Sequence, residues 1–414
     1  MDVMIAGAGI GGLTTALMLH RRGIACRLYE AAPALAELGV GINVLPHAIR
    51  ELALLDLLPD LDRIALRTSE MVYLTRQGQE IWREARGLAG GHDVPQFSIH
   101  RGRLQAMLHR AVTSRLGADA VRPGHVVTGF AQDGAGVTLH LRDRDPVRGD
   151  VLIGADGVHS RIRAQLHPDG PGLRWNGVMM WRGATEYPAY GDGTTMIVAG
   201  GFTTKLVLYP IAPGTAPGRV LMNWVITSRI AADGAEAPGR EDWNRRGTEA
   251  EVMPLAQAFG VDVIDLPALV RATPEYFRYP MCDRDPLPDW SRGRVTLLGD
   301  AAHPMYPVGS NGASQAILDA RALADLLAGQ QTGGGDVAAA LAAYDAARRP
   351  ATAQIVALNR KGGPEGVIDE VERRAPDGFA DLDAVIPWPE REAIVRGYAT
   401  TAGFGTDQTR LRHA

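Results

Sequence analysis

Residues 2–30, DVMIAGAGIGGLTTALMLHRRGIACRLYE, decide the fold. DVMIA reads as a short apolar strand, and a GAGIGG turn follows at 7–12. Leu13, Ala16, Leu17 and His20 then recur at helical spacing. His20, Arg21 and Arg22 suit a helix C-terminus, and Gly23 suits the position after it. A second strand, ACRLYE, ends on Glu30. Within the turn, Gly7 permits the tight bend, Gly9 lets backbone approach a pyrophosphate, and Gly12 lets helix and strand pack closely; Ile10 and Gly11 complete it. The helix start offers unpaired N–H groups and a favourable dipole to phosphate. Glu30 lies 23 residues after Gly7, close to the spacing of about 20 expected for a carboxylate on ribose hydroxyls. Strand, glycine turn, helix and acid-ended strand make a dinucleotide site, without separating NAD from FAD.

Working outward, residues 46–58 read as a helix opening on Pro46, and 100–116 as another, with Leu104, Met107, Leu108, Ala111 and Leu116 along one side. GVTLHLRD at 136–143 alternates like a strand, DVLIGADGVHS at 150–160 is strand and glycine turn, and RIRAQL begins a short helix. After residue 172 the texture changes. Segments 174–186, 194–210 and 219–228 are strand-like and rich in Trp, Tyr, Val and Thr, with Pro/Gly turns between them. They predict an inserted antiparallel sheet. Residues 229–243 read as a polar loop and 248–259 as a helix. RVTLLG at 294–299 is a buried strand; Asp300 and a loop to Gly312 follow, then a long helix whose apolar side runs from Ala313 to Leu327. A linker at 331–335 and a helix from 336 to 347, continuing past Pro350 with a kink, lead to a charged segment from 361 and an expected mobile tail at 400–414. The expected domains are 1–172 and 281–360 for the dinucleotide, 173–280 for the substrate, and a helical segment with a tail at 361–414.

Composition limits the function. Of 414 residues 49 are Gly, without a collagen period, while 46% hydrophobic and 22% charged residues are ordinary globular values. A net charge of −4 with no basic run argues against nucleic acid. Only Lys205 and Lys361 are lysines, so any anionic partner depends mainly on Arg, backbone N–H groups or helix dipoles. Two cysteines, Cys26 and Cys282, support neither a disulfide framework nor a four-cysteine metal site, and the 11 histidines show no metal-ligand spacing, so no metal is expected. No apolar run reaches membrane-spanning length, and the N-terminus lacks a basic leader. A cytoplasmic chain without a membrane anchor, a monomer or homodimer, is the expectation.

Two distant segments decide for FAD: GADGVHSRIR at 154–163 and GDAAHPMYPVGSNGASQAILDA at 299–320. With GVGIN (39–43), SIHRG (98–102), MWRG (180–183), NWV (223–225) and the run from YPM (279–281) through DRDPLP (283–288), they resemble the class A, single-component FAD-dependent aromatic monooxygenases, the group of the 4-hydroxybenzoate and salicylate hydroxylases. Within it the similarity leans towards enzymes of phenazine pathways, and it spans roughly residues 2–360. The resemblance implies an α/β fold: a Rossmann-like FAD-binding domain, an inserted antiparallel-sheet substrate domain and C-terminal helices, as in 4-hydroxybenzoate hydroxylase.

It also implies roles. Gly7, Gly9, Gly12 and Glu30 would hold the ADP half of FAD, Arg101 the ribityl and pyrophosphate region, and Asp156 and Gly157 would form a second motif serving both FAD and the pyridine nucleotide. Asp300 would bind a ribityl hydroxyl, and His303 would support the loop rather than act as a base. Pro307, Gly309, Asn311 and Gly312 would shape the loop passing the isoalloxazine, with Gly39, Gly41 and Asn43 on the opposite wall. Where the group commonly has Gly-Gln-Gly after the proline, this chain has Gly309-Ser310-Asn311-Gly312, which weakens any transfer of substrate specificity. Trp181, Arg182, Tyr209, Asn223, Trp224 and Tyr306 are substrate-pocket candidates; the tryptophans are equally suited to core packing, and Arg182 to a substrate carboxylate or to bracing FAD or the sheet. No proton-transfer residue is named.

The implied reaction uses NADH or NADPH as a transient reductant and O2 as co-substrate. A C4a-hydroperoxyflavin hydroxylates an activated aromatic or heteroaromatic ring, with decarboxylation an open variant for a phenazine-like carboxylate. A salicylate or 3-hydroxybenzoate type of catabolic hydroxylase is the runner-up. An FAD-dependent oxidase and a non-enzymatic flavin sensor are the competing classes.

Overall fold

The computed structural model describes residues 1–37, 39–237, 245–330 and 336–409. The apolar strand Asp2–Ala6 sits inside a six-stranded sheet, parallel to Ala25–Tyr29 on one side and to Val151–Gly154 on the other. Val295–Leu297 extends it in parallel beyond Val151–Gly154, and Val121–Arg122 beyond Ala25–Tyr29. Burial on both faces explains why these strands read as continuous apolar runs. Helix Ile10–Arg21 and helix Gly312–Ala328 pack against each other over this sheet, so the two glycine-rich turns 300 residues apart in expectation lie side by side in space.

The second large sheet has seven strands in the order Tyr276–Asp283, Arg174–Pro188, Arg219–Arg229, Thr204–Pro213, Thr195–Ala199, Glu70–Leu74, Glu80–Ala85. It differs from the expected insertion in two ways. Residues 70–85, assigned by sequence to the dinucleotide domain, supply its last two strands, and Glu70–Leu74 pairs with Thr195–Ala199 in parallel. The segment 194–210 is a hairpin rather than one strand, turning at Gly200, whose φ of 74° favours glycine.

Other expectations hold with adjusted ends. The 46–58 helix stops at Ala53, left-handed Asp56 intervenes, and Leu58–Ile64 starts afresh. Arg101–Leu116, Glu249–Ala256 and Val337–Arg360 are helical, the last with Pro350 inside it. The expected linker at 331–335 lies outside the described residues, as do 238–244 of the polar loop and 410–414 of the tail. The tail up to Thr409 is packed: Phe404 is buried, and Thr409 bonds His92.

Candidate active site

One cavity of about 430 Å³ runs between the parallel sheet and the seven-stranded sheet. Two helix starts open on it. Helix Ile10–Arg21 begins at Gly9 and helix Gly312–Ala328 at Asn311, and neither has a side-chain cap. Their first N–H groups are therefore unfilled donors with positive dipole ends, and both face the same space. A hypothetical Cβ on Gly9 or on Gly312 would meet nothing within 4 Å, so the backbone is bare there. Gly7 and Gly12 are constrained instead. A Cβ on Gly7, at φ 101°, would strike Ala155, and one on Gly12 would strike the Gly7 carbonyl, which is the close helix–strand packing expected of the third glycine.

Thirteen of the sequence-selected residues line this cavity: Gly9, Ile10, Gly11, Gly41, Asn43, Arg101, Gly157, Arg182, Tyr209, Asp300, Pro307, Asn311 and Gly312. Arg101 and Asp300 keep open surface, and that surface belongs to the cavity. Burial among protein groups pushes the Asp300 carboxyl upward against His303 and Arg101, and burial together with Arg182 pushes Arg101 downward. Glu30 stands behind the turn, where its carboxylate accepts the Ala8 and Ala32 N–H groups, each at 2.8 Å. Those two bonds leave acceptor capacity for ribose hydroxyls.

The two cavity walls are tied together at Gly41. Its N–H donates to Asn223 Oδ1 at 2.8 Å, and its carbonyl accepts from Arg182 Nη2, while Arg182 Nη1 reaches the Tyr279 hydroxyl at 3.0 Å. Arg182 thus braces the Gly41 wall and the sheet. Asn43 spans to the opposite loop, with Nδ2 3.4 Å from Ser310 Oγ. Gly309 and Ser310 are both left-handed, at φ 64° and 59°; for serine that conformation is costly.

Behind that loop lies a buried polar chain. His303 Nε2 and Asp319 Oδ2 are 2.6 Å apart, and Arg348 donates to Asp319 Oδ1 at 2.7 Å and to Gln315 Oε1 at 2.6 Å. Gln315 bonds Asn311 Oδ1, Asn311 Nδ2 donates to the Tyr398 hydroxyl at 2.9 Å, and that hydroxyl donates to Asn359 Oδ1 at 2.7 Å. Burial works to raise the Asp319 pKa, but His303 and Arg348 outweigh it and hold the carboxyl below its usual range. His303, packed on Trp290 with ring centroids 5.2 Å apart, supports the loop and does not line the cavity.

Several selected residues lie elsewhere. Trp181 and Trp224 project from the opposite face of the sheet, where they pack with Val252, Leu269 and Val270, and Trp224 Nε1 donates to Thr273 Oγ1 at 2.9 Å. Strand alternation gives the reason: their neighbours Met180, Arg182 and Val225 face the cavity. Tyr306 is buried beneath the loop with Val178, Met281 and Val308. Asp156 turns away to the helix Arg161–Leu166, accepting the Arg161 N–H at 2.7 Å, while Ala155 and Gly157 form the cavity surface. Gly309 is left-handed and abuts Tyr398 rather than the cavity. Gln105, Met180, Phe202, Lys205, Thr227 and Glu365 also line the cavity, beyond the residues expected from the sequence. Lys205 and Thr227 were findable, because they share the face of Tyr209 and Asn223 at period two.

A glycine-turn dinucleotide site opening directly onto a largely apolar sheet face fits a dinucleotide-dependent oxidoreductase. The chain belongs to the FAD binding domain family, whose model matches residues 1–359. It is 46% identical over 369 residues, covering 87% of this chain and 89% of the relative, to phenazine 1,6-dicarboxylic acid hydroxylase of Lysobacter antibioticus. It is 31% identical to 3-hydroxybenzoate 6-hydroxylase 1 of Aquipseudomonas alcaligenes, covering 87% and 88% of the two chains. Among solved structures it superposes on Klebsiella pneumoniae HpxO bound to FAD and uric acid, with a TM-score of 0.75 and 26% identity, covering 98% of this chain and 97% of that one. The chain is an FAD-dependent aromatic monooxygenase. Among the described residues no helix is long and apolar enough to cross a membrane, and no group of His, Cys, Asp and Glu could hold a metal.

Proposed function

We propose that this enzyme hydroxylates a flat polycyclic heteroaromatic acid of the phenazine type, with NADH or NADPH as reductant. The observation that carries this reading is the single cavity joining two uncapped helix starts to a sheet face of Met180, Met196, Val207, Val225 and Met281. The 46% identity to a phenazine dicarboxylic acid hydroxylase supports the ring class.

The donor set fits FAD. The backbone from Gly9 to Gly11 and the helix behind it would hold the pyrophosphate, Glu30 the adenosine ribose, and Arg101 and Asp300 the ribityl region. Pro307–Gly312 and Gly41–Asn43 would flank the ring, and the start of helix Gly312–Ala328 would stabilise negative charge on it. FAD, when bound, supplies the hydride acceptance and oxygen chemistry; the chain supplies binding and orientation. Met, Val and Phe202 side chains exclude water from the reacting face, which favours hydroxylation over loss of peroxide. Tyr209, whose hydroxyl is pushed up to about 12 by burial, with Arg182 opposing, remains a neutral donor towards a ring substituent through the working range.

A substrate panel tests the reading, with NADH and NADPH oxidation, product mass and peroxide followed in parallel. Gain of one oxygen without peroxide supports coupled hydroxylation, and gain of oxygen with loss of carbon dioxide supports the decarboxylative variant. Flavin reduction by substrate without NAD(P)H would instead make the enzyme an oxidase.

A further inference from the structure

We propose that Glu365 is a positioning residue for the Pro307–Gly312 loop: its carboxylate ties Gly309 to Lys205 of the seven-stranded sheet and so sets how the loop passes the flavin. This role rests on the reading of that loop as one flavin wall. Glu365 is only 7% exposed, and its two oxygens serve two different elements. Oε2 pairs with Lys205 Nζ on the strand Thr204–Pro213, and Oε1 accepts the Gly309 N–H at 3.3 Å. One side chain on the cavity wall therefore joins the sheet to the loop.

The local sequence delivers that carboxylate. Gly362 and Gly363, left-handed at φ 92° and 56°, turn the chain after the helix Val337–Arg360. A Cβ on Gly363 would strike Val308 Cγ1 at 2.8 Å, so the turn lies directly against the loop. Four residues beyond Glu365, Asp369 accepts the Phe202 N–H at 2.6 Å. Glu365 and Asp369 thus hold the loop and the neighbouring hairpin tip from one segment. Tyr398 also abuts Gly309, and its ring leaves no room for a Cβ there. Gly309 leads through left-handed Ser310 to Asn311, where the helix Gly312–Ala328 begins, so a shift at Gly309 is passed to that helix start.

Stability alone does not account for the ion pair, because a buried pair of charges contributes little or nothing over apolar side chains of similar size. The contact that an apolar pair could not replace is the bond to Gly309. Glu365 also lies beyond residues 1–359, which the family model matches.

Two double variants of the FAD-loaded enzyme test the bridge. Lys205→Met/Glu365→Gln and Lys205→Met/Glu365→Met both remove the charge pair, and only the first keeps an acceptor for the Gly309 N–H. Hydrogen–deuterium exchange of peptides spanning 307–312 is followed beside the visible circular dichroism of bound FAD. The second variant should exchange about tenfold faster in the loop than the first and should differ from it in flavin dichroism. A role confined to charge neutralisation would move neither readout between the two. Lys205→Met/Glu365→Leu takes the place of the second variant if that one does not fold. Equal loop exchange in the two variants would overturn the bridge. Faster exchange with identical flavin dichroism would overturn the reading of the loop as a flavin wall, and the positioning role with it.

Discussion

Asn223 Oδ1 accepts the backbone N–H of Gly41 at 2.8 Å across 182 residues of sequence, and both residues are buried. With Arg182 on the Gly41 carbonyl, this one residue is held through both its N–H and its carbonyl by the seven-stranded sheet. Asn223→Ala should leave that N–H without a partner and cost about 1–3 kcal/mol. Thermal unfolding and FAD titration read the loss, and the FAD affinity should fall with the stability.

Ser310 holds a left-handed backbone at φ 59°, next to Gly309 at 64°. Ser310→Gly removes a steric cost of roughly 1–2 kcal/mol and returns part of it as unfolded-chain entropy. The variant should unfold at slightly higher temperature. Ser310→Val, stiffer and bulkier at Cβ, should unfold lower and release more peroxide per NAD(P)H.

Tyr398 lies far along the chain from the loop, yet its hydroxyl joins Asn311 at 2.9 Å to Asn359 at 2.7 Å. Tyr398→Phe should leave Asn359 Oδ1 without its hydroxyl donor, while Asn311 Nδ2 keeps the Gly309 carbonyl at 3.2 Å, costing about 1–3 kcal/mol before relaxation. Product yield per NAD(P)H should drop further than FAD affinity does, which a joint assay of product, peroxide and flavin binding measures.

His47 is buried beside Phe404, and burial, with Arg348, His92 and Arg50 adding to it, lowers its pKa from 6.5 to about 3. The unfolded chain therefore takes up a proton that the folded one refuses. The contribution is intact above pH 6.5 and declines as pH falls from 6.5 towards 3, by up to about 1.4 kcal/mol per unit. Urea unfolding at several pH values should show a shallower acid decline in His47→Gln than in the wild type.

The glycine-turn unit was legible because it is local. Gly7, Gly9, Gly12 and Glu30 need only one strand–turn–helix–strand unit, and the structure builds it. The substrate face was half legible. Arg182 and Trp181 are adjacent in one strand, as are Asn223 and Trp224, so the members of each pair project from opposite faces. Alternation alone could have removed both tryptophans once Arg182 and Asn223 were assigned inward. Lys205 carried the same period-two signal, but its partner Glu365 lies 160 residues away, and only packing joins them. Tyr398 gave no signal at all: nothing in the sequence of Trp388–Thr401 says that this helix ends against the flavin loop. Membership of the strands at 70–85 in the seven-stranded sheet was illegible for a similar reason, since it is set by a non-local pairing with Thr195–Ala199.

The central claim, that the cavity hydroxylates a polycyclic aromatic acid, is tested most directly by turnover under 18O2 with NADH or NADPH and a phenazine carboxylate. Product should carry one 18O atom, in amount matching the NAD(P)H consumed. Nucleotide consumption that appears only as labelled peroxide, with the ring unchanged across polycyclic and benzoate-type acids alike, would contradict it.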